Sequence, residues 1–220
     1  MAAAAFYDLD GTLCRTNLVH AYAYNARNQQ GILRSITRTL STVASIPAFL
    51  VADFFDRRLF NQIFFRRYKG ESEDRLRYLA QELFDKVIKD SIYPGAYQLI
   101  EKSRQLGLRQ VLVTGAVDFT ALPLVRHLGL DDMVTNHLEF VDGKATGRLL
   151  PPVMASATKA SWIRVYAEKE GLNLSECYSY SDSMSDLPML SVVGHPTATN
   201  PDFRLRNTAL QHDWPILDLR

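Results

Sequence analysis

The chain opens on an apolar run, residues 2–7, that is too short for a helix and is broken at once by Asp8, Leu9, Asp10, Gly11, Thr12 and Leu13. A run of this kind predicts a short buried strand, and open α/β sheets collect their ligands just beyond the carboxyl ends of such strands. Asp8 and Asp10 fall at that position. Two carboxylates so placed repel one another, so a divalent cation with a preference for oxygen ligands, such as Mg²⁺, is their natural partner. Gly11 allows the turn that follows. An Asp pair before a Gly is also ordinary turn chemistry, so the rest of the chain has to decide between the two.

Three later segments bear on that choice. Residues 111–113 are Val, Leu and Val, an apolar strand that ends in Thr114 and Gly115. A hydroxyl donor and a residue that lets backbone come close suit an anion there, and Phe119, Leu122, Val125 and Leu128 predict a helix whose N-terminus faces the same place. Lys159 falls in the first turn of a second predicted helix carrying Ala160, Ile163 and Ala167, where a cation fits the helix dipole poorly. Tyr178, Ser179, Tyr180 and Ser181 then predict another strand, ending in Asp182, with Asp186 four residues on. Each alone has an ordinary reading: a strand threonine, a solvated lysine, a helix-start aspartate.

Taken in order, DxDGT, a hydrophobic strand ending in Thr, a lysine and a DxxxD acidic turn resemble the haloacid dehalogenase-like phosphohydrolases. The likeness runs from Phe6 to about Leu219 and is strongest to the phosphoserine-phosphatase-like IB branch. The resemblance implies an α/β fold, a Rossmann-like core with a mostly parallel sheet flanked by helices, plus an inserted helical (C1-type) cap. It implies a Mg²⁺-dependent phosphomonoesterase acting through an aspartyl phosphate. By resemblance Asp8 is the nucleophile, Asp10 the general acid and base, and Thr114, Gly115 and Lys159 bind phosphate. Asp8, Asp10 and Asp182 hold the metal, with Asp186 behind them. An Asp carboxylate is chemically apt as a covalent nucleophile, and a carboxyl acid and base assists by roughly 10² to 10⁴ in rate. The chain departs from the phosphoserine phosphatase pattern at Asn17, where those enzymes place a Glu nine residues after the nucleophile to meet the substrate amine. Phosphoserine is therefore an alternative substrate rather than the expected one. Among rival activities, a dehalogenase needs neither Asp10 nor Asp182, and a non-catalytic phosphate-binding module requires a missing group that this chain has. A phosphotransferase or phosphomutase would use the same residues, as would a lipid-phosphate phosphatase, a more distant alternative.

About a hundred residues separate Asp8 from Thr114, where a βαβ unit needs about thirty, so something is inserted. Leu76, Leu79, Ala80, Leu83, Phe84, Val87 and Ile88 recur with helical spacing after Ser72, Glu73 and Asp74, and Pro47 ends or kinks an earlier helix. The expected division is a core from residues 1–15 and 91–220 and a helical cap from 16–90, with connections near Arg15 and Pro94 that could hinge. Residues 15–90 carry 13 Lys and Arg against 8 Asp and Glu, and the remainder 12 against 16, so a basic cap faces an acidic core, which suits an anionic small-molecule phosphate. Arg57, with Arg58, Arg66, Arg67 and Lys69, is interleaved with phenylalanines. Such a helix packs its apolar face, reaches into the site with an arginine such as Arg57, or meets a membrane surface. A spanning helix at 43–55 fails on length.

A formal charge of +1 gives no support to a nucleic-acid partner, and oligomeric state is left open. Two cysteines, Cys14 and Cys177, are too few for a disulfide framework and suit a cytoplasmic location, as does the early interruption of the apolar start. Residues 96–105 predict a helix. Residues 137–141 and 145–149 predict a hairpin about Asp142 and Gly143, and Asn200 and Pro201 predict the cap and first turn of a late helix.

Overall fold

The computed structural model describes residues 2–16, 23–24 and 57–220, with side chains from residue 60 onward in the last stretch. Its centre is a seven-stranded sheet: β1 (Ala4–Tyr7), β2 (Arg109–Val117), β3 (Asp132–Val141), β4 (Lys144–Leu150), β5 (Tyr178–Ser181), β6 (His195–Thr199) and β7 (Ile216–Leu217). The spatial order is β4-β3-β2-β1-β5-β6-β7, parallel throughout except for the β3–β4 hairpin. β1 is fully buried because both its faces are covered, Ala5 and Tyr7 on one side and Ala4 and Phe6 on the other. The chain winds outward from β1 in both directions, so the crevice at its carboxyl end, between β2 and β5, is where such a sheet presents a site.

Helices cover the two faces. On one lie α3 (Pro94–Gln105) and α4 (Asp118–Leu128), joined by the helices inserted between β1 and β2; on the other lie α5 (Ala157–Glu170), α6 (Leu187–Leu190) and α7 (Phe203–Gln211). The described part of the insertion is α1 (Arg57–Phe65), a 3₁₀ turn (Arg66–Tyr68) and α2 (Glu73–Leu83). A π-helical stretch (Phe84–Ile88) and a last turn (Lys89–Ser91) extend α2. Phe60, Phe64, Phe65 and Tyr68 are buried in the main core together with Leu76, Ala80 and Leu83, so the aromatic residues here pack while Arg66 and Lys69 face solvent. The two connections to the insertion run side by side, with Arg15 N–H on Ser91 O and Tyr93 N–H on Leu13 O, each at 3.0 Å.

A third attachment has no counterpart in the residue pattern. Gly70 N–H donates to Ala145 O and Ala145 N–H to Glu71 O, both at 2.8 Å, and Glu73 N–H donates to Gly143 O at 2.9 Å. The insertion is thereby joined by backbone to the hairpin, and at Gly147, φ +82°, a Cβ would stand 2.9 Å from Arg66 O. The hairpin turn is Asp142–Gly143, both residues with positive φ, and Lys144 already belongs to β4.

Two expectations are corrected. β2 does not end at Thr114 and Gly115 but continues to Val117, its register against β3 shifting between Val113 and Val117. The late helix is capped by Asp202, whose carboxylate accepts from Leu205 N–H, and not by Asn200. Asn200 takes a positive φ of 49° and turns its amide elsewhere. Asn17, Pro47 and residues 43–55 lie outside the described residues, as does the side chain of Arg57, which opens α1. Among the described residues no helix is long and apolar enough to cross a membrane.

Candidate active site

Asp8 directly follows β1, and its N–H donates to Tyr180 O of β5 at 3.0 Å, so the carboxylate is set by the sheet itself. Leu13 N–H returns to Leu9 O, and Gly11 N–H donates to Cys14 O, closing residues 9–14 into a tight loop that presents Asp10. Gly11 takes φ +79°, and a Cβ on it would lie 2.1 Å from Asp182 Oδ2. The absent side chain is what lets the acidic turn after β5 come against the loop after β1. Asn200 Nδ2 donates to Gly11 O at 3.0 Å and Thr12 O at 3.2 Å, and Asp202 N–H to Asp182 O at 2.7 Å, so the segment after β6 holds both acidic turns in place.

Lys159, in the first turn of α5, is buried, and its Nζ donates to Asp8 Oδ1 at 2.6 Å and to Asp186 Oδ2 at 2.7 Å. Ser181 Oγ donates to the same Asp186 oxygen at 2.8 Å. Burial alone would lower the lysine's pKa, but Asp186 and Asp8 outweigh it and hold the ammonium well above the ordinary lysine range. The ammonium is therefore kept charged in a buried place by the two carboxylates it pairs with. Thr12 Oγ1 donates to Asp182 Oδ1 at 3.2 Å and lies 3.5 Å from Asp8 Oδ2, linking the two acidic turns through one hydroxyl.

Asp8, Asp10, Gly115, Lys159 and Asp186 line one cleft, together with Asn61, residues 154–156, Ser183 and Ser185. Thr114 sits immediately behind, buried, its hydroxyl oxygen accepting from Ala116 N–H at 3.1 Å. Asp182 adjoins the cleft through Gly11 and Thr12. Asn17 and the side chains of Arg57 and Arg58 lie outside the described residues.

Asn61, Asn136, Ser156, Ser183 and Ser185 were missed. Asn61 had a signal: it is a polar residue on the face of α1 that otherwise presents Phe60, Phe64 and Phe65 to the core. Asn136, fully buried in β3, donates to Gly115 O at 2.7 Å and accepts from Met154 N–H at 2.8 Å, tying two walls of the cleft together. Ser156, φ +46° just before α5, left no trace in the residue pattern. Cys14 is buried, its thiol pushed up to about 12 chiefly by burial, so it packs as a thiol and is no nucleophile.

The close approach at Gly11 yields a stability prediction with an internal control. Gly171 has a similar φ of +65° but nothing within 4 Å of an added methyl, so Gly171→Ala should lose only the left-handed strain, about 1–2 kcal/mol. Gly11→Ala adds the clash with Asp182 and should lose about 2–5 kcal/mol in all, read as the larger fall in Tm by thermal unfolding.

The fit to a metal rests on the donor set. Asp8, Asp10 and Asp182 offer only hard carboxylate oxygens, the ligands Mg²⁺ takes, and the missing Cβ of Gly11 leaves room for the Asp182 carboxylate beside the loop after β1. Among the described residues no group of three or more His, Cys, Asp or Glu side chains is drawn together closely enough to hold a metal ion by itself.

Comparison with known proteins bears on the family and the fold. A family model described as haloacid dehalogenase-like hydrolase matches residues 5–191. The chain is 34% identical over 221 residues to phosphoserine phosphatase SerB1 of Mycobacterium tuberculosis, covering 100% of this chain and 72% of that protein. Its fold is similar to that of a protein of unknown function from Bordetella pertussis, with TM-score 0.87, 23% identity and 100% of both chains covered. It is also similar to a structure described as a phospho-aspartyl intermediate analogue of phosphoserine phosphatase, with TM-score 0.74, 18% identity, and 100% of this chain and 94% of that one covered.

Proposed function

Because this chain belongs to the haloacid dehalogenase-like hydrolase family, we propose that it is a Mg²⁺-dependent phosphomonoesterase whose Asp8 carboxylate takes the phosphoryl group from a small organic phosphate. The observation that carries the reading is the buried Lys159 ammonium, 2.6 Å from Asp8 and 2.7 Å from Asp186, beside Asp10 and Gly115 in one cleft. Such a group fixes the nucleophile and offers positive charge where phosphoryl oxygens arrive.

In the first step an Asp8 oxygen bonds to phosphorus as the ester P–O bond breaks, and the Asp10 carboxyl gives its proton to the leaving oxygen. In the second, water attacks phosphorus, Asp10 takes the water's proton, and the Asp8–phosphorus bond breaks to release inorganic phosphate. Lys159 holds Asp8 Oδ1 through both steps and keeps the carboxylate from rotating away. Thr114 and Gly115 bind the phosphoryl group by hydroxyl and backbone, with Asn136 holding Gly115 in place. Asp8, Asp10 and Asp182 would hold Mg²⁺, which when bound neutralises the charge between carboxylate and phosphate. The helical insertion, residues 16–90, serves as the cap: α1 contributes Asn61 to the cleft and so helps exclude water.

The test is release of inorganic phosphate from para-nitrophenyl phosphate and from a panel of phosphorylated metabolites. Activity is expected with Mg²⁺, to vanish in excess EDTA and to return with added Mg²⁺; turnover unaffected by chelation would refute the metal-dependent reading. Phosphoserine belongs on the panel because of the SerB1 likeness. Two free, buried cysteines support a reducing, cytoplasmic setting.

A further inference from the structure

Half of the Asn61 amide has no partner. Its Nδ2 donates to Met154 O at 3.4 Å, while its Oδ1 is buried without a hydrogen bond, in a residue only 1% exposed that lines the catalytic cleft. Turning the amide over offers no relief, since it would set oxygen against the Met154 carbonyl and lose the bond that exists. Neither Asn136 Nδ2, which donates to Gly115 O, nor Lys159 Nζ, which donates to two carboxylates, makes a hydrogen bond to it. A buried carbonyl oxygen left without a donor is costly, and native proteins rarely keep one unless something else fills the place. The insertion thus brings one acceptor to a cleft otherwise furnished for phosphate, and a phosphoryl dianion has no proton with which to satisfy it.

We propose, building on the phosphatase reading above, that Asn61 Oδ1 is a specificity contact that accepts a hydrogen bond from the leaving group. The substrates favoured are then phosphates of alcohols that carry a second hydroxyl or an amine close to the ester oxygen, over plain alkyl phosphates. An acceptor built into a dry site rejects an analogue lacking the donor, because the acceptor is then buried unpaired. A neutral amide oxygen takes a hydroxyl or an ammonium proton alike, so the shared chemistry is the donor itself.

The test uses binding, so that it does not depend on turnover. Titration of the Mg²⁺-supplemented protein with 2-hydroxyethylphosphonate, 2-aminoethylphosphonate and propylphosphonate compares ligands of similar size that lack the scissile ester. At least one donor-bearing ligand is expected to bind about tenfold tighter than propylphosphonate, and which one identifies hydroxyl or amine as the source. Asn61→Leu should erase that preference, bringing the donor-bearing ligands to within about twofold of propylphosphonate as measured in the same variant. Asn61→Ala repeats the measurement should the leucine variant fail to fold. Equal binding of all three ligands by the unaltered protein would overturn the proposal. So would an equal loss for all three in the variants, which would make Asn61 only a strut for Met154. Failure of the phosphatase reading would show separately, as absence of Mg²⁺-dependent phosphate release from para-nitrophenyl phosphate.

Discussion

Asp8→Asn is expected to lower kcat for para-nitrophenyl phosphate by about four orders of magnitude or more, leaving a correctly folded protein. The amide has the size of the carboxylate and still offers Lys159 an oxygen, so the hydrogen bond now at 2.6 Å can persist. What it cannot do is displace an alkoxide from phosphorus, because the neutral carbonyl oxygen is a far poorer nucleophile than a carboxylate. Circular dichroism and Tm should stay close to those of the unaltered protein while phosphate release vanishes. Turnover persisting at a tenth or more of the original rate would rule out an aspartyl-phosphate route through Asp8 and leave direct attack by water as the alternative.

Lys159→Met should be harmful in two separable ways. Removing the ammonium leaves Asp8 and Asp186 buried beside an apolar side chain, and breaking a buried ion pair from one side costs about 3–5 kcal/mol. For a chain of this size that corresponds to a fall of roughly 6–20 °C in Tm. Activity should fall by at least about a hundredfold as well, since positive charge at the phosphoryl oxygens is lost. Adding Asp186→Asn to Lys159→Met should recover part of the Tm and none of the activity, because it relieves the stranded charge without restoring the cation. The pH dependence has a definite sign. The lysine's pKa is raised in the folded state, so its contribution is fully present below the ordinary value of 10.5 and is lost only as pH rises through the higher folded-state value. A Tm difference between the unaltered protein and Lys159→Met that holds steady from pH 7 to 9 would agree; one that closes over that range would not.

Much of the fold was legible in the sequence because local signals and burial agree along β1, β2, β5 and the α2 helix. The apolar runs of β1 and β5 end where the acids begin, and the helical spacing from Leu76 to Ile88 falls on residues that are in fact buried, Val87 being partly so. Errors arose where a side chain serves a distant partner. Asn200 before Pro201 resembles a helix start, yet its amide holds the Gly11 and Thr12 carbonyls 189 and 188 residues away while Asp202 caps the helix. Likewise β2 continues past Gly115, where Asn136 of the adjacent strand donates its amide N–H to that glycine's carbonyl. The candidate residues that share the cleft, Asp8, Asp10, Gly115, Lys159 and Asp186, could be singled out in the sequence because carboxylates at strand ends are costly to keep without a partner. Those that shape the cleft, Asn61 and Ser156 above all, depend on how the insertion and the start of α5 are brought up to it.

The backbone pairing of residues 70–73 with the β3–β4 hairpin bears on how such a protein could diversify. An insertion tethered only at its two ends could be exchanged between relatives like a cassette, carrying substrate preference with it. Here the helices after β1 and the hairpin after β3 share hydrogen bonds and a glycine fitted to the opposing main chain at Gly147. A chimera that imports a foreign insertion into this sheet would have to import the hairpin with it, and the two segments, far apart in the gene, are constrained to change together.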